Sequence, residues 1–427
     1  MFFESTLEFA QSLDAKDPLL AFRQEFIFPT YHEKPMRYFT GNSLGLQPKN
    51  ARKYILEELD DWGKFGVEGH FIARRPWYSY HENLTDMMAK IVGAKPIEVV
   101  VTHSLTTNLH LLLVSFFQPR GKRTKILCES KAFPSDQYAL TSQVAFHQLE
   151  ASNLVEISPR TGEYLLREED ILNKIYELGD ELACVMIGGV NYYTGQLFDM
   201  EAITAAGHSV GAKVGFDLAH AAGNVSLSLH EWEVDFAAWC GYKYLNSSPG
   251  GVSGIFVHEK HATDSSLPRF TGWWGHDKSL RFQMENGFQA IPGAEGWQLS
   301  NAPILGMAAQ LASLEIFERA GMDQIGEKRN LLTAYLEFIV LAISKQNIAG
   351  CSFEIITPKD VEKRGSQLSI LLHGKGKEVF ESLTKQGVVA DWREPNVIRV
   401  AAVPLYNSFE DCYWFGKCLE ESLLETS

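Results

Sequence analysis

Two neighbouring segments of the sequence carry a carboxylate, a histidine and a lysine in a pattern that could do chemistry. Asp217 ends an apolar run, His220 follows it three residues later, and Lys243 comes just after the next apolar run. Pyridoxal phosphate requires a carboxylate that faces its pyridinium nitrogen and a lysine that reaches its aldehyde carbon. Alone, such an aspartate more often caps a helix, and such a lysine more often lies at the surface. Their conjunction predicts a pyridoxal-phosphate site.

The phosphate of this cofactor is expected at a helix N-terminus, where hydroxyl groups and free backbone N–H groups meet. Residues 104–108 (Ser-Leu-Thr-Thr-Asn) lie where an early strand gives way to a helix, and they supply both kinds of donor. The sequence has no lysine-bearing P-loop and no strand-associated GxGxxG motif. Nucleotide binding of those two types therefore has no support.

Short apolar runs alternate with helix-length segments through the middle of the chain, after a helical pattern at residues 48–65. The runs lie at residues 99–101, 125–127, 183–187, 213–216 and 234–238. Apolar strands separated by helices predict an α/β fold with a mostly parallel sheet covered on both faces. Ligands bind such sheets at the carboxyl ends of the strands, where Asp217 and Lys243 fall.

The pattern changes after residue 301. Two long helical patterns fill residues 302–345, and strand-like runs at 368–372 and 397–401 flank a helix near 376–387, before a last helix that ends near Leu424. These features predict a separate α+β domain. We divide the chain into an N-terminal segment, residues 1–50, that packs with the small domain, a large cofactor-binding domain, 51–300, and a small C-terminal domain, 301–427.

The charge balance limits the classes of partner. Acidic residues number 53 against 39 basic ones, giving a formal net charge of −14. This argues against wholesale binding to nucleic acid or an anionic membrane, because both need a basic face. The six cysteines show no CxxC spacing, so a zinc ribbon or disulfide scaffold is not expected. No secretory signal and no apolar run of membrane-spanning length is visible, so we expect a cytoplasmic protein.

One further segment superficially suggests a metal site. His258 and His261 flank Glu259 and Lys260, a spacing that does not place both imidazoles on one helix face. We therefore interpret it as a surface turn and predict no metal.

Several motifs along nearly the whole chain resemble the kynureninase family. They are residues 38–45 (Tyr-Phe-Thr-Gly-Asn-Ser-Leu-Gly), 133–136 (Phe-Pro-Ser-Asp), 215–220 (Gly-Phe-Asp-Leu-Ala-His), 272–276 (Gly-Trp-Trp-Gly-His) and 398–401 (Ile-Arg-Val-Ala). The resemblance implies the fold of fold-type I pyridoxal-phosphate enzymes. Its large domain has a mostly parallel seven-stranded sheet, and a smaller α+β C-terminal domain follows. The implied reaction is the hydrolytic cleavage of a kynurenine to an anthranilate and alanine.

The resemblance also implies roles for residues at the cofactor. Lys243, Tyr242 and Asp217 would be catalytic, as the covalent attachment point and base, a proton relay that touches the phosphate, and the partner of the ring nitrogen. Gly188 departs from the pattern, because relatives can carry a hydroxyl residue there and glycine offers only backbone contact. The implied cofactor-binding residues are Leu105, Thr106, Phe133, Pro134, Ser135, Asp136, Gly188, Asp217, His220, Tyr242, Lys243, Trp273 and Asn301.

For the substrate, Arg399 would clamp the α-carboxylate by a bidentate contact that a lysine could not reproduce. The implied substrate-binding residues are Ser43, His70, Ser300, Asn301 and Arg399. In the family's dimers Trp273 and Asn301 reach across from the partner subunit, so a homodimer with a composite active site is expected. His70, Ser300 and Asn301 match members that prefer 3-hydroxykynurenine, since polar groups can satisfy a ring hydroxyl.

Other functions remain open at this point. A cysteine desulfurase of the same fold needs a mobile, exposed cysteine, whereas Cys240 lies in an apolar strand. An aminotransferase would release pyridoxamine phosphate on every turnover. A non-catalytic scaffold that kept the fold would have little reason to retain Lys243, Asp217 and Arg399 together.

Overall fold

A seven-stranded sheet forms the centre of the protein, whose computed structural model describes residues 2–346 and 351–426. In spatial order the strands run β1-β7-β6-β5-β4-β2-β3. Strand β7 is antiparallel to both of its neighbours, and the other pairings are parallel. The predicted mostly parallel sheet is therefore confirmed. The strands are β1 (Val99–Thr102), β2 (Lys125–Glu129), β3 (Leu154–Ile157), β4 (Leu182–Gly188), β5 (Lys213–Asp217), β6 (Phe236–Cys240) and β7 (Ser253–Val257).

Helices cover both faces of this sheet, and this explains why its strands are continuously apolar. In β4, Val185 and Ile187 belong to the hydrophobic cluster on one face, while Cys184 and Met186 belong to the cluster on the other. The helices are α1 (Leu7–Asp14), α2 (Lys49–Phe65), α3 (Gly69–Ile72), α4 (Glu82–Val92), α5 (Leu105–Phe116), α6 (Pro134–Phe146), α7 (Glu168–Leu178), α8 (Met200–Ser209), α9 (Ile304–Ala320), α10 (Met322–Ser344), α11 (Gly376–Lys385) and α12 (Phe409–Thr426).

A second, antiparallel sheet lies in the C-terminal part, in the order β8-β9-β11-β10. Helices α10, α11 and α12 share a separate hydrophobic cluster with it. This arrangement confirms the smaller α+β unit. Its strands are β8 (Cys351–Ile355), β9 (Gln367–Gly374), β10 (Asp391–Arg393) and β11 (Val397–Ala401).

The N-terminal segment contacts this second unit. Helix α1 packs on α12, and the two-residue strand Arg37–Tyr38 pairs in parallel with Val388–Val389. Other two-residue strands pair Phe26–Ile27 with Gln47–Pro48 and Thr30–Tyr31 with Lys34–Pro35. The division of the chain at residues 50 and 300 stays a prediction. Among the described helices, none combines the length and apolar character needed to cross a membrane.

Candidate active site

A cavity of about 160 Å³ lies at the edge where β2, β4, β5 and β6 end. Because parallel strands bring their carboxyl ends to one edge, residues far apart in sequence meet there. Ten of the predicted cofactor residues line it: Leu105, Thr106, Phe133, Ser135, Asp136, Gly188, Asp217, His220, Tyr242 and Lys243. Ser104, from the predicted phosphate segment 104–108, also lines it, and four lining residues were not predicted: Glu129, Val190, Tyr192 and Ala219.

Lys243 contacts His220 inside this cavity. Its Nζ lies 3.0 Å from His220 Nε2 and 5.7 Å from the centre of the Phe133 ring. Burial, followed by the nearby charges of Lys243 and Arg399, holds the pKa of His220 well below its usual value. His220 is therefore a neutral imidazole, whose Nε2 can accept a hydrogen bond from Lys243 Nζ.

Asp136 and Asp217 form a buried carboxyl pair. Burial and the adjacent Asp217 carboxylate raise the pKa of Asp136 well above its usual value, and burial also raises that of Asp217. If both carboxyl groups were deprotonated, the buried Oδ1 of Asp136 would have no hydrogen-bond partner among residues 2–346 and 351–426. A proton between the two carboxyl groups, or a donor on a bound ligand, would satisfy that oxygen. The backbone N–H of Ala219 donates to Asp217 Oδ1 at 2.6 Å and fixes this side chain at the end of β5.

Glu129 adds a third carboxyl group to the cavity. Burial raises the pKa of Glu129 to about 7, although the Gly188 N–H donates to its Oε2 at 3.0 Å and opposes the shift. A Cβ at Gly188 would lie 3.0 Å from Glu129 Oε1, so a side chain there would require Glu129 to shift. Sequence reasoning missed Glu129, although it ends an apolar strand as Asp217 does.

Two helix N-termini bring hydroxyl groups to the other end of the cavity. Thr106 lies in the first turn of α5 and Ser135 in that of α6, and their oxygens are 2.6 Å apart. Pro134 occupies the first position of α6, where its missing N–H costs nothing, and it does not line the cavity. Free backbone N–H groups and hydroxyls at two helix N-termini form a suitable site for a phosphate group.

The Phe133 and Tyr192 rings border the cavity. They meet edge to face with centroids 5.3 Å apart, and the Phe133 side chain is 39 % exposed. An exposed aromatic ring beside a buried lysine can stack on a planar ligand. Tyr192 also lines a larger neighbouring cavity of about 510 Å³.

Tyr242 and Lys243 are approached by the turn that contains Ser43. The Gly45 N–H donates to the Tyr242 carbonyl at 2.8 Å. A Cβ at Gly45 would lie 2.3 Å from the Lys243 carbonyl oxygen, so only glycine permits this approach. Burial, followed by the Cys240 thiol, raises the pKa of Tyr242 well above its usual value, so its hydroxyl stays protonated.

Arg399 is buried beside the cavity rather than forming a surface ion pair. It lies in β11, donates through Nη1 to the Tyr192 carbonyl at 2.6 Å, and donates through Nη2 to Asp391 at 2.5 Å. Tyr192 therefore links the guanidinium to the cavity wall.

The remaining predicted residues do not line this cavity in a single chain. Trp273, Ser300, Asn301 and Ser43 are exposed, and His70 is half-buried in α3, with its Nδ1 3.0 Å from the Val67 carbonyl oxygen.

The prediction of a surface turn at His258 and His261 was wrong. Both side chains are buried: His261 Nε2 lies 2.7 Å from Asp235, and His258 Nδ1 accepts from the Lys260 N–H at 3.1 Å. His258 also lies near Glu98 and His230 at distances a metal site could have. The rings of His230 and His258 are stacked at 19°, so their in-plane lone pairs do not converge on one ion.

A mostly parallel sheet with an aspartate and a lysine at adjacent strand ends defines the class of fold-type I pyridoxal-phosphate enzymes. Among solved structures, the cystine C–S lyase C-DES in complex with cysteine persulfide is similar, with a TM-score of 0.76 at 17% identity over 90% of this chain and 97% of that one. A cysteine desulfurase from Thermococcus onnurineus gives 0.72 at 19% identity over 90% and 94%. These likenesses establish the fold alone.

Sequence comparison identifies the family. A kynureninase from Flavobacterium psychrophilum is 59% identical over all of both chains, and one from Mus musculus is 50% identical over 98% of this chain and 93% of that protein. Residues 325–419 also match the kynureninase C-terminal domain. The chain belongs to the kynureninase family.

Proposed function

We propose that this protein is a kynureninase that hydrolyses the Cβ–Cγ bond of L-3-hydroxykynurenine and L-kynurenine. The products are 3-hydroxyanthranilate or anthranilate, with L-alanine. The identity of 59% to a kynureninase over the whole chain carries this proposal. The cavity around Lys243 and Asp217 supports it, because it contains the groups that the chemistry requires.

The cavity residues fit pyridoxal 5'-phosphate. Thr106 and Ser135 would bind the phosphate at two helix N-termini, and Phe133 would stack on the ring. Oδ1 of Asp136 is buried and lacks a partner within the described residues unless a proton is present, as expected beside a protonated ring nitrogen. When bound, the cofactor supplies an electron sink that stabilises negative charge on the substrate.

Asp217 holds a proton at the ring nitrogen in this proposal. Its position at the end of β5 is fixed by the Ala219 N–H, so its remaining oxygen can accept the pyridinium N–H. Asp136, whose raised pKa keeps it protonated, donates a hydrogen bond to the Asp217 carboxylate, so the two groups do not carry adjacent negative charges.

Lys243 would hold the cofactor covalently, and its amine, once released, would act as a base at the substrate Cα. Neutral His220, 3.0 Å from Nζ, accepts a hydrogen bond and orients the amine. Tyr242, whose raised pKa keeps it protonated, is suited to deliver a proton late in the reaction. Arg399 binds the substrate α-carboxylate through N–H groups that its protein partners leave free.

We also propose a homodimer in which Trp273 and Asn301 complete the partner's site. A row of aromatic rings supports this. Its members Phe71, half-buried Tyr78, Phe282 and Trp273 follow one another with ring centroids 5.7–5.9 Å apart, and the other three are exposed. Phe282 is 59 % exposed. Contiguous exposed aromatic surface of this kind marks an interface more often than free solvent-facing surface.

Mixing two inactive variants tests the composite site. Lys243→Ala and Trp273→Ala subunits should together form mixed dimers with one intact site each, restoring about a quarter of the wild-type activity if exchange is random. No gain on mixing would contradict the composite site.

The preferred substrate is proposed to be 3-hydroxykynurenine, bound with help from His70, Ser300 and Asn301. Their polar side chains could form hydrogen bonds with the 3-hydroxyl group of the substrate ring, and none of the three is an apolar residue that would exclude that hydroxyl. The test is kcat/KM for both substrates with the purified enzyme, following the fluorescent anthranilates. A higher value for kynurenine would contradict the preference, and no anthranilate from either substrate would contradict the function.

A cysteine desulfurase activity receives no support from the cysteines. The five that the structure describes are all buried: Cys128, Cys184, Cys240, Cys412 and Cys418. Burial raises the pKa of the Cys240 thiol, the one nearest in sequence to Lys243, and so opposes the thiolate that a desulfurase needs.

A further inference from the structure

Asp391 and Arg399 lie opposite each other on the neighbouring antiparallel strands β10 and β11. Arg399 Nη2 donates to Asp391 Oδ2 at 2.5 Å. The side chain of Arg399 is 1% exposed and that of Asp391 11% exposed, so solvent screens this ion pair little. A charged hydrogen bond in such surroundings restricts the guanidinium to one orientation.

This orientation leaves part of the guanidinium available. Nη1 donates to the Tyr192 carbonyl at 2.6 Å, and Nη2 to Asp391. Within residues 2–346 and 351–426, Nε of Arg399 has no hydrogen-bond partner although it is buried. A buried N–H without a partner is costly, and a ligand carboxylate would remove that cost.

The charges around Asp391 also favour an anion. Its Oδ2 lies 3.4 Å from Arg393 Nη2, so two guanidinium groups share one carboxylate. One positive charge therefore remains unbalanced in this trio. Arg393 lines the 510 Å³ cavity, whose wall also includes Tyr192, Lys131, Glu163 and Glu394, so this guanidinium faces the region beside the cofactor cavity.

We propose that Asp391 is a positioning residue for recognition of the substrate α-carboxylate. It holds Arg399 so that Nε and the unused N–H groups form a bidentate contact with that carboxylate. The inference rests on the proposed function of Arg399. Asp391 uses one guanidinium nitrogen, so it orients Arg399 without occupying the whole donor edge and does not compete with the substrate.

The test compares a ligand that carries the α-carboxylate with one that lacks it. Asp391→Asn keeps the size of the side chain and removes its charge. We expect a KM for kynurenine raised roughly tenfold or more and a kcat changed less than threefold. The inhibition constant of kynuramine, the decarboxylated analogue, should change less than twofold.

Glu394→Gln is the matched control. It removes an exposed carboxylate three residues away that accepts from Trp392 Nε1 and does not contact Arg399. This variant should leave both constants unchanged. Asp391→Glu keeps the negative charge but moves it one methylene further from the backbone. Its KM for kynurenine should lie between those of the wild type and Asp391→Asn. If the asparagine variant does not fold, Asp391→Glu carries the test, with a KM shift for kynurenine and none for kynuramine.

Three results would overturn the inference. An unchanged KM in Asp391→Asn would show that Arg399 needs no such partner. Equal weakening of both ligands would show general damage, and tighter binding of kynurenine would show that Asp391 competes with the carboxylate. Failure of the proposed function is distinguishable, because the wild-type enzyme would then release no anthranilate from kynurenine.

Discussion

The carboxyl groups of Asp136 and Asp217 lie in hydrogen-bonding contact, and burial raises the pKa of both. Asp217 comes from the end of β5 and Asp136 from the first turn of α6. For Asp136, burial and the charge of Asp217 outweigh the opposing charge of Lys243, so this carboxyl group holds a proton. The pair can thus place one negative charge, on Asp217, beside a cofactor ring nitrogen, while the Asp136 carboxyl group stays protonated and neutral.

Replacing Asp217 should be far more damaging than replacing Asp136. Asp217→Asn removes the charge that keeps the ring nitrogen protonated, and we expect kcat/KM to fall roughly a hundredfold or more. Asp136→Asn can still donate a hydrogen bond to Asp217, so a loss of about tenfold is expected. Steady-state kinetics with 3-hydroxykynurenine, alongside the absorbance of bound cofactor, measures both. Equal losses would argue that the two residues act as one unit.

The raised pKa of Glu129 predicts a pH-dependent contribution to stability. Its pKa is about 7 in the folded protein, against an ordinary value of 4.5. Because the folded pKa is the higher one, the stabilising effect of the proton is complete below pH 4.5 and disappears as the pH rises through 7. Glu129→Gln removes this dependence and still accepts the Gly188 N–H.

Urea unfolding of wild-type and Glu129→Gln apoprotein measures the effect, since bound cofactor would add charges of its own. Relative to the variant, the wild-type free energy of unfolding should fall by up to about 3 kcal/mol between pH 4.5 and pH 8. If the free energy of unfolding changed with pH in the same way for the wild type and Glu129→Gln, the raised pKa of Glu129 would be contradicted.

Close backbone approach at Gly45 predicts a local requirement for glycine. In Gly45→Ala, the new Cβ would lie 2.2 Å from Asn246 Oδ1 and 2.3 Å from the Lys243 carbonyl. We expect a loss of about 1–3 kcal/mol in stability and reduced activity, because Lys243 must shift. Gly63→Ala is the control: it lies in α2 with open space around it and should stabilise by about 0.5–1 kcal/mol. Thermal unfolding of both variants measures their stability. An equal change in stability in Gly45→Ala and Gly63→Ala would contradict the specific requirement for glycine at position 45.

The hydroxyl of Thr106 is predicted to bind the cofactor phosphate. Thr106→Val should weaken cofactor binding roughly tenfold, because one hydrogen bond to a charged group is lost. Thr141→Val is the matched control, since Thr141 is exposed in the middle of α6 and does not line the cavity. Equilibrium dialysis with pyridoxal phosphate gives both constants. Similar affinities in the two variants would remove Thr106 from the phosphate site.

The sequence was sufficient to predict the sheet and to place Asp217 and Lys243 at its carboxyl edge, where both line the cavity. Asp217 ends one apolar strand and Lys243 follows the next by three residues, and it was this conjunction, which Glu129 lacks, that made the two residues recognisable. Tyr192 and Asp391 were missed because they lie in a loop and a three-residue strand, where no periodicity indicates which way a side chain points. Both residues matter because they bind the Arg399 guanidinium, and only the tertiary structure brings Arg399 next to Tyr192 and Asp391.

Burial of His258 and His261 could not be predicted for a related reason. Their local sequence is polar, and the groups that satisfy them, Glu98 and Asp235, come from distant parts of the chain. Burial alone would raise the pKa of Asp235. Hydrogen bonds from His208 and His261, together with the charges of nearby lysines, outweigh burial and hold this pKa well below the usual range. Such a buried cluster follows from tertiary structure, not from local spacing.

The central claim is that Lys243 binds the cofactor. The most direct measurement is borohydride reduction of the purified enzyme with bound pyridoxal phosphate, followed by protease digestion and mass spectrometry. We predict a single phosphopyridoxyl adduct on the peptide that contains Lys243, and none on that site in Lys243→Ala. An adduct confined to another lysine, or none in a sample saturated with cofactor, would contradict the account.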